Sequence, residues 1–391
     1  MARLGGDEFV VLLRDIRDEA DDAEAIQGML VQPIRLRKQQ IVTRASIGIA
    51  VSSSQFHKAD EMLRNADIAM YHAKLEGKGK VQVFDWDMRK RASRAWNLRN
   101  DLRFAIDRNE LCLVYQPFIS LQGGRISGAE ALVRWKQADE LVPRAEFVPL
   151  AEEQGTIWEI GEWVVREACL QNREWEDASL RPVKISVNLP ARQLSSDEFS
   201  TTLKQILDET QLAPRWLQLG LTETALMRSL DASSNSLLSL LYLGAQTPID
   251  DFGTGYSSLD YLRRLQFNTL KIDKSFIDDV SNGSKPAALA QSMISRVHSL
   301  DLNVVAEGVE NLDQLSFLVD AGYDHLQGYL ASKPVDADEF GRIFEEGLSL
   351  LGPRAEMGGR ASASQDLRSL ARGAKLIDPG QLDTEPSKLT F

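Results

Sequence analysis

The chain has 391 residues, 43% of them hydrophobic, with 45 basic and 57 acidic side chains that leave a formal net charge of −12. That length accommodates two domains with buried cores, while the acidic balance excludes DNA as a partner, because a polyanion needs a dominating basic face. No apolar run reaches the roughly 18 residues of a membrane span and the opening Met-Ala-Arg-Leu-Gly-Gly has no signal-peptide core, so the expectation is a cytoplasmic protein with no membrane segment within this chain.

In chain order, the glycine turn at Gly5-Gly6 is followed by an expected strand over 9–13, a helix over 19–31, a strand over 41–51 and a helix over 59–75. A charged, Arg- and Ala-rich stretch over 86–107 reads as a linker helix. From 111 onward short apolar runs alternate with helical ones. The strands are expected at 111–117, 126–135, 183–189, 217–222, 247–250, 269–272, 302–306 and 325–328, and helices at 157–177, 196–210, 230–243, 285–300 and 312–321. Repeated βα units of this kind predict an α/β fold, an eight-stranded barrel of the TIM type. The Gly-, Ser- and Ala-rich run from 351 to 391 has no sustained apolar face and reads as a disordered tail. The domain boundaries expected are thus 1–85, a linker helix over 86–108, the barrel over 109–350 and the tail. Cys112 and Cys169 both lie in apolar runs and read as buried free thiols.

The chemistry is signalled by Pro248-Ile249-Asp250-Asp251-Phe252-Gly253-Thr254-Gly255, where an apolar strand ends in two adjacent carboxylates. Side chains alternate along a strand, so two neighbouring aspartates share one site only where the strand gives way to a loop. Glu130, Asn188, Lys271, Glu307 and Gln327 punctuate the ends of other apolar runs, the rim where barrels of this type carry their functional groups. Carboxylates with an amide suit Mg²⁺ or Mn²⁺. The four histidines are scattered and give no zinc spacing.

These motifs together resemble the EAL family of cyclic di-GMP phosphodiesterases over residues 109 to about 350. They read Tyr115-Gln116-Pro117-Phe118, Glu130-Ala131-Leu132-Val133-Arg134-Trp135, Val187-Asn188-Leu189, Thr222-Glu223, the Asp250-Asp251 loop, Leu270-Lys271-Ile272-Asp273, Ala306-Glu307-Gly308-Val309-Glu310 and Gln327-Gly328-Tyr329. The resemblance implies that the first barrel strand runs antiparallel to the rest. It also implies that Glu130, Asn188, Asp250, Asp251 and Glu307 hold two Mg²⁺ or Mn²⁺ ions, whose role is to activate water and neutralise charge on the phosphoryl oxygens. Asp251, Lys271 and Glu307 are the implied catalytic residues, with Lys271 orienting the attacking water and Glu307 shared between metal ligation and general base. Gln116, Arg134 and Gln327 are implied contacts to cyclic di-GMP, which would be opened to the linear dinucleotide pGpG. Glu223, Gly253 and Gly255 support the loop after Asp251, a segment also implied in homodimer formation.

A second resemblance, to GGDEF diguanylate cyclases, rests on Arg3-Leu4-Gly5-Gly6-Asp7-Glu8-Phe9, Ala45-Ser46-Ile47-Gly48-Ile49-Ala50 and Asn65-Ala66-Asp67-Ile68-Ala69-Met70-Tyr71. Only the later part of that α+β domain is represented, so residues 1–85 are expected to be truncated and without cyclase activity. The barrel also departs from its family: Gly220 stands where the resemblance calls for a metal-ligand glutamate. Glu223, three residues further along a strand, should face the other way and cannot replace it. Pro190, beside Asn188, replaces a small hydroxyl residue. The reading is therefore a metal-dependent phosphodiesterase; the alternative is a catalytically weak or inactive cyclic di-GMP-binding effector, motivated by Gly220.

Overall fold

The computed structural model describes residues 1–14, 19–36, 39–52, 58–75, 77, 79–138, 140–194, 197–232, 234–252, 267–278 and 285–347. Gly253, Gly255 and most of the loop after Asp251, as well as the expected tail, lie outside them. The chain divides into two compact units, Met1–Asp101 and Leu102–Phe391.

Among its described residues the first unit contains three separate strand pairs. Ala2–Gly5 and Glu8–Val10 form an antiparallel hairpin around the Gly6-Asp7 turn, Ile34–Leu36 pairs with Gln39–Ile41, and Ile47–Ile49 runs parallel to Val81–Val83. The strand expected over 41–51 is two short strands, because Thr43-Arg44-Ala45-Ser46 interrupts the apolar run with polar residues. Helices Glu19–Leu30 and Ala59–Leu75 accompany these pairs. Leu4, Phe9, Leu12, Met29 and Val42 are exposed, which leaves apolar area in water. The helix expected as a linker spans Trp86–Leu102.

The second unit is a closed barrel. Its strands are β1 (Leu111–Ser120), β2 (Ile126–Gln137), β3 (Lys184–Asn188), β4 (Leu217–Thr222), β5 (Pro248–Phe252), β6 (Thr269–Ile272), β7 (Asn303–Ala306) and β8 (His325–Leu326). Neighbours from β2 through β8 pair in parallel, beginning with the β2–β3 contact, and β1 closes the circle antiparallel to both β8 and β2. The expected reversal of the first strand is therefore present. Parallel strands covered on both faces must be apolar almost throughout, and Ile185, Val187, Leu217, Leu219, Leu221, Ile249, Leu270, Ile272, Val304 and Leu326 are buried accordingly.

An aromatic cluster fixes β1. Tyr115 packs edge-on to Trp175 with ring centroids 4.9 Å apart, and Trp175 lies 4.8 Å from Phe340 of the helix Ala337–Glu346. Offset and edge-on pairs of this type contribute about 0.5–1.5 kcal/mol each beyond burial. β2 continues past the barrel rim into a hairpin with Glu140–Val142. Glu130 consequently sits within a strand of 12 residues, not at its end as the sequence suggested. Cys169 is buried but Cys112 is exposed, a correction to the expectation for that residue. It follows buried Leu111 on β1, where alternation turns it to the opposite face.

Candidate active site

The strand register brings the polar residues together. Gln116 of β1 pairs with Glu130 of β2, Glu130 with Ser186 of β3, Asn188 with Gly220 of β4, and Thr222 with Asp250 of β5. Around the remaining strands, Lys271 lies on β6, Glu307 directly after β7 and Gln327 directly after β8. The ring thus gathers polar groups at one end of the barrel, two of them from β5, while β4 presents Gly220 beside Asn188.

Asp251 shows how two consecutive aspartates share that end. The β5–β6 register slips between Ile249 and Phe252, and Asp251 adopts φ 55°, in the left-handed region. Aspartate tolerates this conformation better than most residues because its short side chain can satisfy nearby backbone groups. Phe252 then returns to the core, fully buried. The irregularity turns Asp251 into the same cleft as Asp250, both lining a space of about 740 Å³.

Lys271 is the hub. Only 2% exposed, its ammonium lies 2.7 Å from Glu307 Oε1, 3.0 Å from Asp250 Oδ1 and 3.3 Å from Glu130 Oε2. Glu130 also accepts from Gln327 Nε2 at 2.6 Å and from Asn188 Nδ2 at 2.7 Å. Gln327 Nε2 donates to Gln116 Oε1 at 3.0 Å as well, and Gln116 Nε2 donates to the Ser332 carbonyl. Gly328 lets this chain segment pass tightly: a Cβ there would lie 2.1 Å from the Val309 carbonyl oxygen.

One ammonium among several carboxylates cannot neutralise them all, and the protonation equilibria reflect that. Burial pulls Glu130 upward, but Lys271 and the hydrogen bonds from Gln327 and Asn188 outweigh it and hold its pKa below the usual range. Burial dominates for the others, opposed by Lys271 and reinforced by neighbouring carboxylates: Asp250 is pushed up to about 6 and Glu307 up to about 7. Asp251 is raised by burial and by Asp273. Despite its burial, Lys271 is held well above its ordinary value by Asp250, Glu130 and Glu307. The set has more ionisable acid than its single cation can support at neutral pH.

The donor set suits an additional cation. Asn188 Oδ1 is buried with no hydrogen-bond donor, a condition that normally costs about 1–3 kcal/mol. A Cβ on Gly220 would stand 2.8 Å from that oxygen and 2.7 Å from Asp250 Oδ2. A side chain at 220 would therefore enter between an amide oxygen and a carboxylate, the direction expected from the sequence. Among the described residues, no three Asp, Glu, His or Cys side chains already stand as a ready-made metal cage, since three of the carboxylates converge on Lys271.

Glu223 is buried at 1% exposure, but it opens the helix Glu223–Ala232 and does not continue β4, so strand alternation does not govern it. It is not among the residues lining the cleft, whereas Gln116, Gln327 and Pro190 are. Arg134 is half-buried on β2, donates to its neighbour's Val133 carbonyl and does not line the cleft. Arg144, Lys274 and Tyr329 do line it, and sequence reasoning gave them no role. For Tyr329 the adjoining Gln327-Gly328 motif was the available signal; for Arg144 only the preceding Pro143, a helix-start cue, was present.

The comparisons with known proteins agree with this geometry. The EAL domain family model matches residues 99–334 and the diguanylate cyclase GGDEF domain model matches residues 1–80. The chain belongs to the EAL family. It is 40% identical over 342 residues to the bifunctional diguanylate cyclase/cyclic di-GMP phosphodiesterase MucR of Pseudomonas aeruginosa, covering 87% of this chain and 50% of MucR. It is 35% identical over 351 residues to the cyclic di-GMP phosphodiesterase PdeR of Escherichia coli, covering 89% of this chain and 53% of PdeR. The EAL chain therefore spans about half the length of the curated relatives it matches. The solved PaMucR phosphodiesterase in complex with c-di-GMP aligns with a TM-score of 0.60 at 41% identity, over 62% of this chain and 99% of that one. The EAL domain of Mycobacterium smegmatis DcpA aligns with a TM-score of 0.53 at 31% identity, over 61% of this chain and 99% of that one. No helix among the described residues is long and apolar enough to cross a membrane.

Proposed function

We propose that this protein is a metal-dependent phosphodiesterase that opens cyclic di-GMP to pGpG, acting in the cytoplasm. The single observation that carries the reading is the buried convergence of Glu130, Asp250 and Glu307 on Lys271, with Asn188 Oδ1 left undonated beside them. The relatives named for this activity, and the neighbour solved with c-di-GMP, support it.

Two Mg²⁺ or Mn²⁺ ions held by Glu130, Asn188, Asp250, Asp251 and Glu307 would supply Lewis acidity and a water acidic enough to attack at neutral pH. This chain's own groups complete the step. Glu307 takes the proton from the attacking water. The water oxygen forms the new bond to phosphorus, the bond from phosphorus to one ribose oxygen breaks, and that oxygen takes a proton from solvent. Lys271 sits within reach of Glu307 and Asp250, where its charge offsets the negative charge growing on the phosphoryl oxygens. Gln116 and Gln327, which line the cleft, position the dinucleotide; Arg134, implied by the resemblance in the same role, lies off the cleft and would have to turn toward it to take part. Glu223, Gly253 and Gly255 support the loop after Asp251, through which we place a homodimer. DNA is not a partner, on the acidic charge. The first unit makes no cyclic di-GMP.

Gly220 favours a second reading, a weak enzyme that works chiefly as a cyclic di-GMP-binding effector, because the ligand shell is one carboxylate short. Losing even a group that supports a ligand costs about 10–100-fold in affinity or activity. The deciding experiment measures cyclic di-GMP hydrolysis across a Mg²⁺ and Mn²⁺ titration beside a binding titration. Turnover to pGpG that requires metal is expected; binding without turnover at any metal concentration selects the effector, and neither binding nor turnover overturns both.

A further inference from the structure

One wall of the cleft is not used by the chemistry above. Arg144 is the first residue of the helix Arg144–Gln154, is exposed, and lines the same cleft as Glu130, Asp250 and Asp251. It forms no ion pair with any described residue. Its position adds no stability to the helix either, because a cation in the first turn opposes the macrodipole. Neither local folding nor a surface salt bridge accounts for it.

Its charge nevertheless reaches the site. It helps lower the pKa of Glu130, after Lys271, Gln327 and Asn188, and opposes the burial that raises Asp251. It also makes Arg134 less basic, second only to burial in that effect. Arg134 hydrogen-bonds only the Val133 carbonyl and has no carboxylate partner among the described residues. The two guanidinium groups thus lie close enough to repel each other, with no carboxylate ion-paired to either among the described residues. Gln327, which donates to Glu130 in the same cleft, is 4% exposed, and its Oε1 is buried without a donor. The cleft thus holds a cluster of carboxylates around Lys271 and, on its lining, an arginine with no ion-pair partner among the described residues.

We propose that Arg144 grips the phosphodiester of a cyclic dinucleotide that is not being cleaved, and so places the other phosphodiester at the carboxylate cluster. This rests on the phosphodiesterase reading. A substrate with two phosphodiesters in one ring has one anion to spare when the first is being attacked, and an arginine fork suits two phosphate oxygens at once. A mononucleotide or a small diester has no second anion for Arg144 to hold.

The test uses the full chain and two probes, cyclic di-GMP and bis(p-nitrophenyl) phosphate, with parent, Arg144→Ala and Arg144→Lys proteins. Arg144→Ala is expected to weaken cyclic di-GMP binding at least tenfold and to flatten the salt dependence of its Kd. Arg144→Lys recovers part of the loss, since it keeps the charge but not the fork. For bis(p-nitrophenyl) phosphate, the fall in kcat/KM is expected to be at least tenfold smaller than the loss with cyclic di-GMP. Equal Kd values in parent and Arg144→Ala overturn the assignment, as do parallel losses with both probes, which would place Arg144 in support of the carboxylate cluster. A parent protein that binds no cyclic di-GMP overturns the phosphodiesterase reading itself and is distinguishable from both.

Discussion

At the scale of single residues, Lys271 and Gly220 make opposite contributions. Removing the Lys271 ammonium leaves three buried carboxylates facing one another, and breaking a buried ion pair by deleting one partner costs about 3–5 kcal/mol. Lys271→Met is therefore expected to lower the Tm markedly in EDTA and to abolish most turnover; calorimetry and a pGpG assay check the two together. At Gly220 the sign depends on metal. The Cβ of any side chain there would stand 2.7 Å from Asp250 Oδ2, so Asp250 must shift in both the glutamate and the glutamine protein; without a cation Gly220→Glu adds like-charge repulsion to that cost and lowers the Tm further. With Mn²⁺ present the new carboxylate joins the ligand shell, raises the Tm and lowers the metal concentration for half-maximal rate, by about 10-fold or more. Gly220→Gln is the control. Identical responses from the glutamate and glutamine proteins would show that 220 does not face the ions.

Among the elements, β5 is where backbone shape and chemistry meet. The left-handed Asp251 costs little for Asp or Asn, but about 1–3 kcal/mol for most other residues. Asp251→Asn should leave stability near the parent while hydrolysis falls at least tenfold, whereas Asp251→Val should lose both; thermal melts separate backbone strain from lost ligation. How far such features are legible in sequence depends on what determines them. Most barrel strands could be read because each is a short apolar run capped by a polar group; Gly220 was singled out by the resemblance alone, and its register with Asn188 is visible only in the fold. The slip at Asp251 could be inferred only as a loss of alternation, not as a conformation. The helix Arg144–Gln154 was missed since it carries Pro149 internally and lacks a side-chain cap, and with it the role of Arg144 was invisible. The extent of β2 beyond Glu130 was hidden because its outer residues pair with Glu140–Val142, a contact that periodicity does not reveal.

For the molecule as a whole, the barrel holds all the candidate chemistry, so removal of residues 1–85 should preserve its circular dichroism and its metal-dependent thermal shift. Loss of both would show that the first unit is needed for the barrel to fold. Global stability should also depend on pH in a defined direction. Asp250 rises from 3.8 to about 6 and Glu307 from 4.5 to about 7. Between those limits the folded protein retains protons that the unfolded chain has released, so stability falls as pH climbs and levels off above about 7. The lowered Glu130 acts only below its ordinary range and the raised Lys271 only above pH 10.5; His325, lowered from 6.5 by burial, does oppose the trend in this window, but as one group against the two strongly raised acids. The Tm in EDTA is expected to drop from pH 5 to 7.5, and Mg²⁺ to flatten the slope by favouring the ionised acids. The Lys271 hub carries a consequence for time as well as for equilibrium. Its ammonium holds one oxygen of each of Glu130, Asp250 and Glu307, so loading involves an exchange of counter-charges and not only the filling of a waiting socket. Mixing stripped protein with substrate and Mg²⁺ together should give a lag before steady turnover, and preincubation with the metal alone should erase it.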